Sequence, residues 1–142
     1  MRKLLTLMVL LSAFGGGAQS EELPTATLYK NPACACCDGY ADYLRDNGFE
    51  VTVQPSHDLA LLRREHGVPD ALAGCHMTLV DGYVVEGHVP VGALLRMLAE
   101  KPPINGISLP GMPAGSPGMF GEKTEPFTIY EIGAEPKVYA VD

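Results

Sequence analysis

Basic side chains are scarce in this sequence. Ten Lys and Arg stand against 17 Asp and Glu, a formal net charge of −7. That balance argues against nucleic acid or anionic lipid as a partner, since both are held chiefly by positive charge. Long apolar runs are also lacking. Past the first twenty residues no segment approaches the roughly 20 apolar residues that span a bilayer. No internal repeat and no ferredoxin cysteine spacing occur. Cysteine itself is limited to four residues, and their placement excludes an ordinary disulfide framework. Cys34, Cys36 and Cys37 lie too close together to staple separate parts of a fold, and only Cys75 is distant.

What is present begins with an export pattern. Arg2 and Lys3 precede an unbroken apolar run, Leu7 to Leu11, inside a longer apolar block that gives way to small residues. This predicts a secretory signal peptide over 1–20, cleaved after Ala18 or Ser20, and no stable membrane anchor. Without Arg2 and Lys3 the formal charge moves from −7 to −9, as suits a protein living outside the cytoplasm. The remainder, 21–142, has the length of a single domain with a modest core.

The pattern of elements predicts an α/β protein. ATLYK (26–30) alternates like a strand and is broken by Asn31-Pro32. From Cys37 the residues Tyr40, Ala41 and Leu44 recur at helical spacing up to Asn47-Gly48, and FEVTVQ (49–54) alternates again. Ser56 is the expected cap of a second helix carrying Leu59, Leu62 and His66, stopped by Gly67 and Pro69. MTLV and YVVEG, divided by Asp81-Gly82, form the strongest hairpin signal. Val91, Leu94, Leu95 and Leu98 predict a third helix, ended by Pro102-Pro103. From Pro102 to Pro126 the Gly, Pro and Met content predicts a loop without regular structure, and FTIYEI with KVYAV a closing hairpin. The alternation implies a sheet with helices packed on its faces.

The stretch NPACACCD (31–38) carries the chemistry. Cys34 and Cys37 form a Cys-x-x-Cys after a strand and at a helix start, where backbone N–H groups and the helix dipole favour thiolate. In this it resembles a thioredoxin-like redox loop. The intervening Cys36 makes three cysteines in four positions. Adjacent cysteines at a helix start point in different directions and would strain to satisfy one tetrahedral ion, whereas a multi-metal cluster with bridging thiolates relaxes that demand. Soft thiolates select Cu(I), Zn²⁺ or iron–sulfur centres; the missing ferredoxin spacing and an exported location disfavour an iron–sulfur site, leaving copper ahead of zinc. The competing reading is a tight disulfide with one spare thiol.

Three segments, NPACACCDGYADYLRDNGFEV, HGVPDALAGCHMTLVDGYVVEGHVP and LPGMPAGSPGM, together resemble the CopG-like periplasmic copper-resistance proteins, a family once known only as a domain of unknown function. The likeness runs from Thr25 to Met119. It implies a thioredoxin-like fold, with a central mixed sheet and helices on both faces, whose Cys-x-Cys-Cys loop binds copper and cycles it between Cu(I) and Cu(II). Under that reading Cys34, Cys36, Cys37 and Cys75 form the sulfur core. His76 and His88 complete the coordination, more than one copper ion is held, and the location is periplasmic. Cys75-His76 falls where thioredoxin-like relatives usually carry a cis-proline against the redox loop, so a substrate groove is expected to become a metal pocket. His88, in EGHVP, would otherwise read as a surface or capping residue.

Met112 and Met119, seven apart on the Gly/Pro/Met-rich loop, are either Cu(I) ligands or apolar plugs. Met77 and Met97 read as structural, and His57 and His66 as residues of a solvated helix face, with His66 well placed at a helix C-terminus. Three functions compete. The first is a copper-binding protein of copper resistance that changes the metal's oxidation state, a copper/thiol oxidoreductase. The second is a thiol–disulfide oxidoreductase with Cys34 as nucleophile and Cys37 as resolving residue. The third is a passive chaperone feeding periplasmic copper-efflux or copper-oxidising partners.

Overall fold

The structure is a computed structural model and describes residues 22–142; the predicted export segment, 1–20, lies outside them. Strand β1 (Ala26–Lys30) leads into helix α1 (Ala35–Asp46), followed by β2 (Val51–Pro55) and α2 (Leu59–Glu65). The antiparallel pair β3 (His76–Val80) and β4 (Tyr83–Gly87) precedes α3 (Val91–Glu100), and β5 (Gly106–Leu109), β6 (Thr128–Ile132) and β7 (Val138–Val141) complete the chain. The seven strands form one mixed sheet in the order β2-β1-β3-β4-β5-β6-β7. Pro55 ends the edge strand β2, where a missing N–H costs no ladder bond.

Alternation along the strands divides the apolar residues between two layers. Ala26, Leu28, Val80, Val85, Ile107 and Ile129 face α1 and α3, and with Tyr40, Leu44, Leu94 and Met97 they form the main core. Met77, Val84 and Ile132 lie on the opposite face, where Leu62 of α2, Val68 and Leu72 cover them. Helices therefore occupy both faces, as expected for the thioredoxin-like arrangement. Helix α1 buries Cys37, Tyr40, Ala41 and Leu44, the i, i+3, i+4, i+7 spacing of a single apolar face. Met77 and Met97 are fully buried, as their core reading required.

Several expectations are corrected. Asp58, not Ser56, caps α2. Its carboxylate accepts the Leu61 N–H at 2.8 Å, while the Ser56 hydroxyl accepts the Asp58 N–H one turn earlier. His57 thus precedes α2 and His66 is its C-cap, so neither sits within the helix. The seam of α3 is rotated. Ala93, Leu94 and Met97 are buried, whereas Leu95 is exposed, because small Ala93 carries little signal in a hydrophobic pattern.

The largest departure is β5. The sequence from Pro102 to Pro126 predicts no regular element, yet Gly106–Leu109 pairs in parallel with β4 and supports β6 on its other side. All four residues are buried. A strand covered on both faces has no polar alternation to reveal it, and the flanking Pro and Gly disguise it further.

A Cβ at Gly106 would overlap the Val84 backbone directly. Gly106→Ala is expected to destabilise the protein by at least the roughly 1–3 kcal/mol of an overpacked core, as a lowered urea midpoint, since the obstacle is backbone and not a movable side chain.

Candidate metal site

The turn between β1 and α1 is built by Asn31, whose side chain accepts the Ala33 N–H at 3.0 Å and whose carbonyl accepts the Cys34 N–H at 2.9 Å. Cys34 is the N-cap of α1, so the three loop cysteines surround the positive end of that helix. Antiparallel pairing sets Lys30 opposite His76 and brings Cys75 against the loop. The four cysteine sulfurs lie within 4.8 Å of one another. Cys34 and Cys37 are joined as a disulfide, and Cys36 and Cys75 are free. The Cys75 sulfur stands 3.5 Å from Cys37 Sγ and 3.8 Å from Cys36 Sγ, and Cys36 Sγ stands 3.4 Å from Cys34 Sγ.

A second group shares Cys75. His88 Nε2 is 3.0 Å and His76 Nδ1 3.3 Å from its sulfur, and the three donor atoms fall within 4.8 Å of one another. His88 Nδ1 lies 2.6 Å from the Pro117 carbonyl. A carbonyl can only accept, so Nδ1 carries the proton and the Nε2 lone pair faces Cys75. This is the outer hydrogen bond that commonly orients a metal-binding imidazole. The ring of Tyr40 stands 4.6 Å from that of His76 and 5.5 Å from that of His88. Its hydroxyl is tied to the Val89 carbonyl at 2.8 Å.

The surroundings favour neutral donors. Burial, reinforced by neighbouring His88, lowers the pKa of His76 to about 3, and the nearby Gly87 carbonyl offsets this only in part. Burial also lowers that of His88, against an opposing contribution from its Pro117 hydrogen bond. Both rings therefore stay in the unprotonated form that ligates metals. Burial and the adjacent Cys36 push the Cys75 thiol up to about 12, so a soft cation entering here displaces its proton. His76 Nε2 is buried without a hydrogen-bond partner. The sulfur and imidazole donor set fits a soft, thiophilic ion.

Three supports had no clear motif in the sequence. The first is a clamp on Gly74, the residue before Cys75. Arg63 donates from Nε to Glu86 Oε1 at 2.9 Å and from a terminal nitrogen to the Gly74 carbonyl at 2.8 Å; Glu86 Oε1 accepts the Gly74 N–H at 2.8 Å. A charge within the apolar strand YVVEG was its one visible trace. The second is Lys30, buried, with Nζ 2.7 Å from both oxygens of Asp38 just past the cysteine loop. The third is Gly118. A Cβ there would come 2.5 Å from Tyr40 N, so the Gly/Pro/Met loop lies directly on α1 and delivers the Pro117 carbonyl to His88.

That loop is thus ordered by contact. Of the two readings left open for its methionines, the apolar plug does not suit Met112, which is substantially exposed, while Met119 is half-buried. His57 and His66 join neither donor group.

A cysteine cluster able to hold a metal ion, set on a thioredoxin-like sheet, defines the class of this protein. Residues 72–119 match a family described as "Protein of unknown function, DUF411". Two solved structures, forms 1 and 2 of "Copper resistance protein copG", are each 32% identical to this chain with a TM-score of 0.78. They match over 85% of this chain and over 98% and 99% of theirs. The chain belongs to the CopG copper-resistance family. No curated protein matches it by sequence comparison. Among the described residues no helix is long and apolar enough to cross a membrane.

The Gly74 clamp can be tested directly. Arg63→Met leaves Glu86, fully buried, without its counter-charge and is expected to cost about 3–5 kcal/mol in urea unfolding. Arg63→Met combined with Glu86→Leu removes both charges and is expected to recover part of that loss.

Proposed function

We propose that this chain is a copper-binding protein of copper resistance, with copper as its cargo. The observation that carries the reading is the gathering of four cysteine sulfurs within 4.8 Å, beside two buried imidazoles, in a chain akin to copper-resistance proteins. In the reduced state Cys34, Cys36, Cys37 and Cys75 bind more than one Cu(I) through bridging thiolates, with His76 and His88 as nitrogen donors. An exported, periplasmic location after cleavage of 1–20 belongs to the same reading, as do one domain over 21–142 and hand-over to copper-efflux or copper-oxidising proteins.

The redox part of the proposal assigns the electrons to Cys34 and Cys37. Two Cu(II) ions each take one electron from this dithiol. The S–S bond forms, two protons leave, and two Cu(I) ions result. Return to the dithiol uses an external thiol reductant. The disulfide between these residues supports such a pair, and equally supports the second reading, a thiol–disulfide oxidoreductase in which Cys34 attacks and Cys37 resolves. A passive chaperone would bind the same copper without the electron step.

Copper per chain in reduced, anaerobically Cu(I)-loaded protein is the deciding measurement. Each of Cys34→Ser, Cys36→Ser, Cys37→Ser and Cys75→Ser is expected to lower it. Unchanged stoichiometry in all four, together with rapid disulfide turnover by metal-free protein that survives Cys36→Ser, would transfer the assignment to thiol exchange. Cu(II) added to the reduced chain is expected to appear as two equivalents of Cu(I) with loss of two thiols; retention as Cu(II) with all thiols intact would leave the passive chaperone.

A further inference from the structure

The two donor groups overlap in one atom only, the sulfur of Cys75. Closing the Cys34–Cys37 disulfide removes two members of the four-sulfur group and none of the group formed by Cys75, His76 and His88. We infer that the disulfide-closed chain keeps a separate, mononuclear copper station made of Cys75, His76 and His88. The inference rests on copper being the cargo. It adds that oxidation of the loop converts a multi-copper site into a one-copper site and does not empty it.

The geometry of this second group is that of a site, not of a chance contact. His88 and His76 are both fully buried, and their rings meet edge-on at 82° with centroids 4.8 Å apart, with Tyr40 beside both. The Pro117 carbonyl fixes which His88 nitrogen faces the sulfur. His76 turns Nδ1 toward the same sulfur and leaves Nε2 buried without a partner, which the protein tolerates where a ring is held for its other nitrogen. Metal–sulfur bonds of about 2.3 Å and metal–nitrogen bonds of about 2.0 Å are compatible with the 3.0 and 3.3 Å sulfur–nitrogen separations of this group. Cys75 loses its thiol proton to solvent as the metal–sulfur bond forms, and no electron moves.

The donor set also has chemical meaning. One thiolate with two imidazoles is the combination that serves copper in both oxidation states and underlies electron-transfer copper sites. The four-sulfur group, richer in thiolate, favours Cu(I). The disulfide-closed chain is therefore suited to keep Cu(II) as well as Cu(I), and Cys36, 3.8 Å from Cys75, lies beside the station without being needed by it.

The test uses the full mature chain carrying Cys36→Ser, oxidised so that Cys34–Cys37 is closed and Cys75 is the single free thiol. Peptide mapping and thiol titration verify that state. With no dithiol available to reduce it, Cu(II) is added anaerobically. One copper per chain surviving desalting, with an intense sulfur-to-copper absorption in the visible range, is expected. Adding Cys75→Ser is expected to abolish the absorption and His88→Gln to weaken copper retention at least tenfold; near-ultraviolet circular dichroism reports that the variants remain folded.

Reduced wild-type protein is loaded with Cu(I) in parallel. Copper in the reduced chain but none in the disulfide-closed chain overturns this inference and leaves the proposed function standing. Copper in neither overturns both. An absorption that persists in folded Cys75→Ser also refutes the station as assigned.

Discussion

The antiparallel pairing of β1 with β3 is the constraint on which the site depends. It places Lys30 opposite His76, so the residues leaving β1 and those entering β3 meet at one edge of the main core. Every cysteine lies just outside these two strand ends. A one-residue slip would send His76 to the opposite face and Met77 into the site, while Leu28 and Val80 would lose their common core. The same pairing that buries the apolar residues thus also sets the sulfur geometry.

A site of this polarity inside a small core needs support. Glu86 and both site histidines are fully buried, and Lys30 nearly so. Lys30 answers this with Asp38, and Glu86 with Arg63 and the Gly74 N–H. A buried ion pair such as Arg63–Glu86 adds little net stability, but loss of one partner is costly; Lys30 instead reaches out to an Asp38 that is itself exposed. Both pairs serve to hold backbone in place. One holds the helix bearing Cys36 and Cys37 to β1, the other the residue before Cys75. The histidines take the alternative route of staying neutral, and that is also the state in which an imidazole can ligate a metal. The loop around Pro117 completes the arrangement from outside by packing glycine backbone on α1.

Much of the fold was legible in the chain. Strand β1, helix α1 and the final hairpin announced themselves through alternation and helical spacing, because each has one covered and one less covered face, whereas β3 and β4, buried on both faces, were marked by the Asp81-Gly82 turn between them. Strand β5 did not, being buried on both sides between proline-rich flanks. The cap of α2 and the seam of α3 were missed because Ser56 and Asp58 offer the same capping chemistry two residues apart, and because a buried alanine looks like an exposed one.

The sequence by itself determined the inventory of the site. Three cysteines in four positions at a helix start cannot act as an ordinary staple, and the acidic balance argues against polyanionic partners. Tertiary structure decided the grouping. That His76 and His88 converge on Cys75, that Cys75 is shared between a sulfur group and an imidazole group, and that Pro117, Gly118, Arg63 and Glu86 hold them there are consequences of register and packing. Apart from the neighbours Cys75 and His76, such relations join residues more than ten positions apart, as with Gly118 on Tyr40. Local patterning carries no record of them, because it is the burial of the sheet as a whole that brings those positions together.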